Sequence, residues 1–269
     1  MRRYDGEDTV TRPTVCLGAL TAIGMAIGLT IAAGCSKSES GPPAPKAAVT
    51  PVDLSTAGTI RVQVSYDGPL PTGKVINMSG TPGCAAAHPQ PVVDDSIAVS
   101  DGRLANAVVY IKSGLGDRAF AAPAEPVIID QKGCLYDPRV VAVMVGQPLQ
   151  FRNSDQEAHN VHGRPTTVDA WNFLMSRPGS TRDVVFDRPE VGIPIGCDVH
   201  PWMRAYASVF ASPYFGITPR DGIVTLKPVP PGDFVIGVWH EALGSLEKSV
   251  TLPPSGTVSI PFAYGAPAR

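Results

Sequence analysis

One short loop carries three side chains that bind soft metal ions. Cys197, His200 and Met203 follow one another at intervals of three residues, and His159 lies thirty-eight positions upstream of the cysteine. A thiolate and two imidazoles with a weak, distant thioether form the ligand set of a blue-copper electron-transfer site, because soft sulfur favours Cu(I) while imidazole also accepts Cu(II). The four residues therefore predict a site for one copper ion. Zinc is an alternative occupant, because it accepts the same cysteine and histidine ligands.

Each of these residues also has a purely structural interpretation. Cys197 could be a buried thiol, Met203 a core residue and His159 a turn residue. His162 is either a rival ligand or a surface group that forms hydrogen bonds. A closed set of four ligands leaves no open position for a water molecule, so the pattern argues against metal-assisted hydrolysis.

Short strands and turns must position these side chains. Residues 59–66 alternate polar and apolar side chains and end at an Asp-Gly turn signal, which is typical of a half-buried strand. Further short apolar runs occupy residues 104–111, 140–145, 223–226 and 234–239. The 28 Pro and 27 Gly residues supply turns between such runs. The sequence therefore predicts an all-β fold of the sandwich type.

The composition excludes two classes of protein. Only 17% of the residues are charged and 43% are hydrophobic, which is unlike an intrinsically disordered chain. The formal net charge of −2 argues against a protein that binds nucleic acid by neutralising phosphates. We expect a folded protein without a nucleic-acid partner.

The N-terminal residues have the features of a targeting segment. Residues 14–34 carry no charged side chain, and a run of about 20 apolar residues could span a bilayer. The small residues before Cys35 resemble a bacterial lipoprotein signal, which implies removal of residues 1–34 and lipidation of Cys35. An uncleaved anchor helix and cleavage without lipidation are alternatives. Each predicts export to the periplasm or the outer face of the cell envelope, and residues 35–56 would form a flexible tether or a disordered segment without a spacing role.

The region around residues 124–210 resembles the cupredoxin family. The residues that carry the resemblance are Tyr136-Asp137-Pro138, Val143 to Gln147, Phe151-Arg152-Asn153, His159-Asn160-Val161 and the loop that begins at Cys197, whose spacing is similar to the short amicyanin type. The resemblance implies a Greek-key β-sandwich in which His159, Cys197, His200 and Met203 bind one type 1 copper. It also implies that Asn160 ties the strand of the first ligand to the cysteine loop. Pro201 and Trp202 would form an apolar rim for a redox partner beside a solvent-facing edge of His200.

The segments that flank this region resemble a second family. Residues 218–241, together with residues 58–66 and 106–111, are similar to the carboxypeptidase regulatory-like, or transthyretin-like, β-sandwich. We therefore expect a cupredoxin domain, residues 124–210, inserted between the two parts of the other sandwich, residues 57–123 and 211–269. The alternative is two domains in series, with residues 57–123 joined to the cupredoxin unit and residues 213–265 folding alone.

The full pattern also resembles exported bacterial proteins of the methylamine-utilisation or plastocyanin-like type, a label that implies no demonstrated reaction. The residues concerned are Cys84 to His88, Leu104 to Tyr110, Asp130 to Cys134 and Trp239-His240-Glu241. Cys84 and Cys134 remain once the other three cysteines are assigned, and in an exported protein such a pair most often forms a disulfide. A second metal site involving His88 is the alternative, and His240 with Glu241 could form another site or a hydrogen-bonded pair between domains.

Three functions are compatible with the sequence. The favoured one is a membrane-tethered electron carrier, not an enzyme, whose partner is a redox protein such as a cytochrome c or a membrane oxidoreductase. The second is a non-redox module that binds polysaccharide or protein. The third is an accessory subunit of a copper oxidoreductase, which would need a second copper site at which His88, His162 and His240 converge.

Overall fold

Strands dominate the part of the chain that the structure, a computed structural model, describes: residues 49–70 and 72–265. These residues form several β-sheets and very little helix, so the all-β prediction is confirmed. Within these two ranges no helix has the length and apolar character needed to cross a membrane. The predicted signal or anchor helix, residues 1–34, and most of the predicted tether lie outside the described residues.

The described strands are short and joined by tight turns. In chain order they begin with β1 (Gly58–Tyr66), helix α1 (Pro82–Ala86), β2 (Val99–Ser100), β3 (Arg103–Leu104), β4 (Val108–Ser113), β5 (Val127–Gln131), β6 (Tyr136–Asp137), β7 (Val140–Met144), β8 (Pro148–Asn153) and β9 (His159–Gly163). They continue with β10 (Trp171–Met175), β11 (Thr181–Val185), β12 (Glu190–Gly196), β13 (Arg204–Phe210), β14 (Phe215–Ile217), β15 (Ile223–Val229), β16 (Gly232–His240), β17 (Gly244–Leu252) and β18 (Thr257–Tyr264).

The strands at the two ends of the described chain pack around one hydrophobic core. One sheet has the order β15-β1-β3-β2, with β18 paired in parallel to β1, and the other has the order β14-β4-β16-β17. Side chains alternate between the faces of a strand, so Ile60, Val62 and Val64 of β1 all point into the core. Phe234 and Phe262 reach the same core from the partner strands.

The middle strands form a second pair of sheets with its own core. Their orders are β10-β9-β12-β13-β7 and β11-β8-β5-β6. Phe151, Val161 and Ile193 fill the space between these sheets and are fully buried. Met78 and Cys84, which precede β2 in the chain, also pack into this core. The segment around α1 therefore covers the middle sheets.

A third cluster lies where the two cores approach each other. It joins Tyr110 of β4 to Val140 of β7 and Phe210 of β13, and the two aromatic ring centres are 4.8 Å apart. Arg139 also binds the carboxylate of Glu241 at this place, with Nη2 2.7 Å from Oε2. The first core is thus built from strands that precede the middle strands in the chain and from strands that follow them. The boundaries 57–123, 124–210 and 211–269 stay a prediction.

Candidate metal centre

The four candidate ligands lie at the ends of neighbouring strands. His159 is the first residue of β9, Cys197 directly follows β12, and Met203 directly precedes β13. The strands β9, β12 and β13 are neighbours in one sheet, so the turn after β12 is brought beside the start of β9. The backbone N–H of Met203 donates to the carbonyl of His200 at 2.9 Å and closes the loop.

Three donor atoms converge in a buried pocket. His159 Nδ1 and His200 Nδ1 are 2.9 Å apart, and Cys197 Sγ lies 3.8 Å from His200 Nδ1. All three side chains are buried, and their donor atoms lie within 4.8 Å of one another. Two nitrogens and a sulfur bound to one tetrahedral ion would be separated by roughly 3.3 Å and 3.6 Å, given metal–ligand bonds of about 2.0 and 2.3 Å. The spacing therefore fits a single metal ion.

Met203 lies in the same part of the core. Its side chain is 1% exposed and belongs to the buried cluster that also contains Cys197. Both residues line one surface groove of about 460 Å³, which Arg164 and Arg204 border. The structure thus brings three of the four selected residues together, and it buries Met203 in the same hydrophobic cluster as Cys197.

The electrostatic environment of the pocket favours a thiolate. Burial alone would raise the pKa of Cys197, but the hydrogen bond from His159 and nearby backbone N–H groups outweigh it and lower the pKa. Burial opposes the charged form of His159, yet its bonds to Cys197 and Asp155 raise its pKa. The pKa of His200 is lowered by burial and by the neighbouring charge of His159. A metal ion needs deprotonated ligands, and this pocket already favours the thiolate and one neutral imidazole.

Asn160 and Tyr136 connect the two ligand-bearing segments. Asn160 Oδ1 accepts the backbone N–H of Asp198 at 2.7 Å and lies 3.3 Å from Cys197 Sγ. The buried hydroxyl of Tyr136 reaches the carbonyl of Asn160 at 2.8 Å and that of Gly196 at 3.1 Å. The sequence contained Tyr136 in a motif but gave no role for its hydroxyl, because the two carbonyls are distant in the chain. These bonds hold the strand of His159 against the loop of Cys197.

A disulfide covers the outer edge of His200. Cys84 and Cys134 are bonded to each other, and Cys84 Sγ lies 3.6 Å from His200 Nε2. The resemblance to cupredoxins predicted that this ring edge faces solvent, but His200 is only 2% exposed. The reason is that Cys84 belongs to α1, which the disulfide fastens over the ring.

The two residues of the predicted docking rim point in different directions. Pro201 is exposed, whereas Trp202 is half-buried and its Nε1–H donates to the carbonyl of Cys134 at 3.0 Å. The Trp202 ring lies 5.1 Å from the His200 ring, centre to centre. Val199, which sequence reasoning did not select, is 55% exposed in the same loop. The outward apolar face of the loop is therefore made by Val199 and Pro201.

The remaining histidines lie apart from the pocket. His88 Nε2 is 2.6 Å from the carbonyl of Gly133, and the partly exposed His162 contacts Asp198 at 3.0 Å. His240 is buried, and its neighbour Glu241 binds Arg139. None of these three histidines belongs to a group of potential metal donors in residues 49–70 and 72–265. In the described residues these three histidines therefore do not converge on a common site, as a second copper ion in an oxidoreductase subunit would require.

Asp155 is a neighbour of the pocket that sequence reasoning missed. Its Oδ2 lies 2.9 Å from His159 Nε2, and its side chain is 13% exposed. The two residues are four positions apart in the chain, but that spacing alone does not bring them together at the start of a strand. The contact depends on the turn that precedes β9.

No protein-family model matches the chain, and no curated protein matches it. Among solved structures it is similar to a copper-containing nitrite reductase from Thermus scotoductus SA-01, with 21% identity and a TM-score of 0.29, over 37% of this chain and 25% of that chain. It is also similar to a Cu(I) form of an amicyanin mutant, with 20% identity and a TM-score of 0.29, over 39% of this chain and 98% of that chain. A purple cupredoxin from Nitrosopumilus maritimus matches with 21% identity and a TM-score of 0.27, over 31% of this chain and 97% of that chain. The chain thus spans a quarter of the nitrite reductase.

Proposed function

We propose that this protein is an exported, membrane-tethered type 1 copper protein that carries one electron at a time. The observation that carries the proposal is the convergence of His159, Cys197 and His200 in a buried pocket. Met203, which is buried in the same hydrophobic cluster as Cys197, is proposed as the weak fourth ligand. Bound copper would supply one-electron exchange between Cu(I) and Cu(II).

The surroundings of the pocket suit an electron carrier better than an enzyme. The hydrogen bonds of Tyr136 and Asn160 hold the two ligand segments together, so little rearrangement is expected when the ion changes charge. The disulfide at Cys84 covers the outer edge of His200. Four protein ligands leave no open coordination position for a reactant.

The partner is proposed to be a redox protein, such as a cytochrome c or a membrane oxidoreductase. Val199 and Pro201 form the exposed apolar face above the pocket, and the low net charge favours apolar contact over long-range steering. Export is supported by the disulfide, because such bonds persist outside the cytosol. Residues 1–56 would supply the signal and the tether.

Metal-binding measurements on the purified chain test the ligand set. We expect one copper ion per chain, and we expect His159→Gln and Cys197→Ser each to lose roughly tenfold or more in copper affinity, because loss of a ligand costs at least as much as loss of an outer contact. His162→Gln is the matched control. It removes a histidine of the same strand, and this histidine contacts Asp198 instead of the pocket. Unchanged affinity in Cys197→Ser, or equal losses in the two histidine variants, would contradict the proposal.

A further inference from the structure

The carboxylate of Asp155 lies on the far side of the His159 ring from the pocket. His159 Nδ1 faces His200 Nδ1 at 2.9 Å, while His159 Nε2 faces Asp155 Oδ2 at 2.9 Å. If Nδ1 binds a metal ion, the ring carries its proton on Nε2. The Nε2–H group then donates to the carboxylate, and this bond fixes both the tautomer and the orientation of the ring.

Asp155 is itself held firmly in place. Its Oδ1 accepts the N–H of Gly133 at 2.6 Å, its Oδ2 accepts the N–H of Cys134 at 2.7 Å, and its own N–H donates to Asn153 Oδ1 at 2.9 Å. The side chain is only 13% exposed, so water screens its charge weakly. The carboxylate is therefore a fixed negative charge one imidazole ring away from the pocket.

We propose that Asp155 is a positioning residue that orients His159 and lowers the reduction potential of the copper. This inference rests on the proposed function, because it assigns a role toward the metal that His159 would bind. A hydrogen bond to a carboxylate makes the imidazole a stronger donor, and the negative charge favours Cu(II) over Cu(I). Both effects act in the same direction.

A different role for Asp155 would be purely structural. The carboxylate also anchors the turn at Gly133 and Cys134, and this turn carries one half of the disulfide. Asp155→Asn removes the charge and keeps one oxygen that can accept a backbone N–H, but its NH2 group faces the other backbone N–H, so the stability of the variant is measured beside its potential. A purely structural residue would change stability without a directed change in potential.

Redox titration of the full chain loaded with one copper ion tests the inference. In Asp155→Asn we expect the affinity for Cu(II) relative to Cu(I) to fall about tenfold, since outer-shell substitutions have effects of this size. For a one-electron couple this equals an upward shift of about 59 mV. Asp183→Asn is the control, because it removes an equal charge from an exposed strand where the carboxylate binds Gln150. Mass spectrometry of the variants should show that the disulfide is retained.

Nuclear magnetic resonance supplies a second readout that needs no redox activity. In the Cu(I) form and in the metal-free chain we expect a slowly exchanging Nε2–H signal from His159, which Asp155→Ala abolishes. An unchanged potential in Asp155→Asn, an equal shift in Asp183→Asn, or an Nε2–H signal that survives Asp155→Ala would each overturn the inference. Failure of the wild type to bind copper through Cys197 would instead refute the proposed function, and the signal of the metal-free chain would still test the bond to Asp155.

Discussion

At the scale of single residues, the site depends on buried polar groups that satisfy one another across strands. Tyr136 is the clearest case, because its hydroxyl joins the carbonyls that flank the two candidate ligand segments. Burial raises the pKa of this phenol well above its usual range, so the hydroxyl keeps the proton that it donates. Removing the oxygen would leave a buried carbonyl without its partner, which is more costly than the bond itself.

Tyr136→Phe should therefore reduce the free energy of unfolding by about 1–3 kcal/mol, and it should loosen the metal pocket. The measurement is chemical denaturation together with the rate at which a chelator removes bound metal. Tyr214→Phe is the matched control, because Tyr214 is also 5% exposed but packs in the other core, away from the pocket. Equal losses of unfolding free energy in the two variants would show that the hydrogen bonds of the Tyr136 hydroxyl add no stability of their own.

His240 gives the stability a dependence on pH that is independent of any metal. Burial, and then the charge of Arg139, lower its pKa from 6.5 to about 4. Its Nε2 also has no hydrogen-bond partner in the described part of the chain. The unfolded chain takes up a proton below pH 6.5, whereas the folded protein does not until about pH 4. Proton uptake therefore favours unfolding, and stability is lost as the pH falls through this window.

The predicted loss attributable to His240 is about 3 kcal/mol between pH 6.5 and pH 4, from the size of the shift in pKa. His240→Phe, which has a ring that cannot titrate, should flatten this acid limb when unfolding free energies are measured across the range. His162→Phe serves as the control because His162 is partly exposed. A wild-type acid limb that persists unchanged in His240→Phe would refute the explanation.

The types of the candidate ligands could be predicted from the sequence, but the hydrogen bonds that surround them could not. The thiol, imidazoles and thioether were visible as types at fixed spacings, since a short loop confines them to one place. The bonds from Asp155 to His159 and from Tyr136 to Gly196 were not visible, because an acceptor is chosen by the three-dimensional approach of two segments. The lowered pKa of His240 could not be predicted either, because it depends on burial by strands that are distant in the chain.

At the scale of elements, the segment around α1 acts as a cap over the pocket. The disulfide joins α1 to the turn after β5 across 50 residues, and it places Cys84 Sγ against His200. The Trp202 indole, which donates to the Cys134 carbonyl, closes the same side. The cap should therefore control how easily the ion leaves.

The double variant Cys84→Ser/Cys134→Ser should release copper to a chelator at least several times faster than the wild type. Loss of a link across 50 residues should also lower the free energy of unfolding by about 4 kcal/mol. Leu226→Ala is the control for general destabilisation, because it removes a comparable amount of stability from the other core. If this control speeds copper release as much as the double variant, the cap has no specific role.

Strand prediction worked where one face of a strand is buried. The alternation in residues 59–66 predicted β1, whose buried apolar side chains alternate with more exposed polar ones. Residues 104–111 were predicted as one strand, but the structure divides them into β3 and β4, since Asn106 has a φ of +61° that breaks the extended backbone. β17 was not predicted, because its residues are mostly exposed and have no apolar alternation. The five-residue α1 is too short to show a helical period.

At the scale of the whole molecule, the two cores are joined by more than a linker. Tyr110 and Phe210 pack together between them, and Arg139 binds Glu241 at the same boundary. Resemblance suggested the order of the segments, but the contacts between the cores could not be derived from sequence, because they depend on how two sandwiches meet. The candidate ligands lie at the ends of the middle strands β9, β12 and β13.

The central claim is that one copper ion bound through Cys197 exchanges one electron. The most direct test is a redox titration of the copper-loaded chain, followed through its visible absorption. We predict an intense band from charge transfer between thiolate and Cu(II), which disappears reversibly on the addition of one electron per chain and is absent in Cys197→Ser. A protein that binds one copper ion but stays colourless and inactive in the titration would contradict the account.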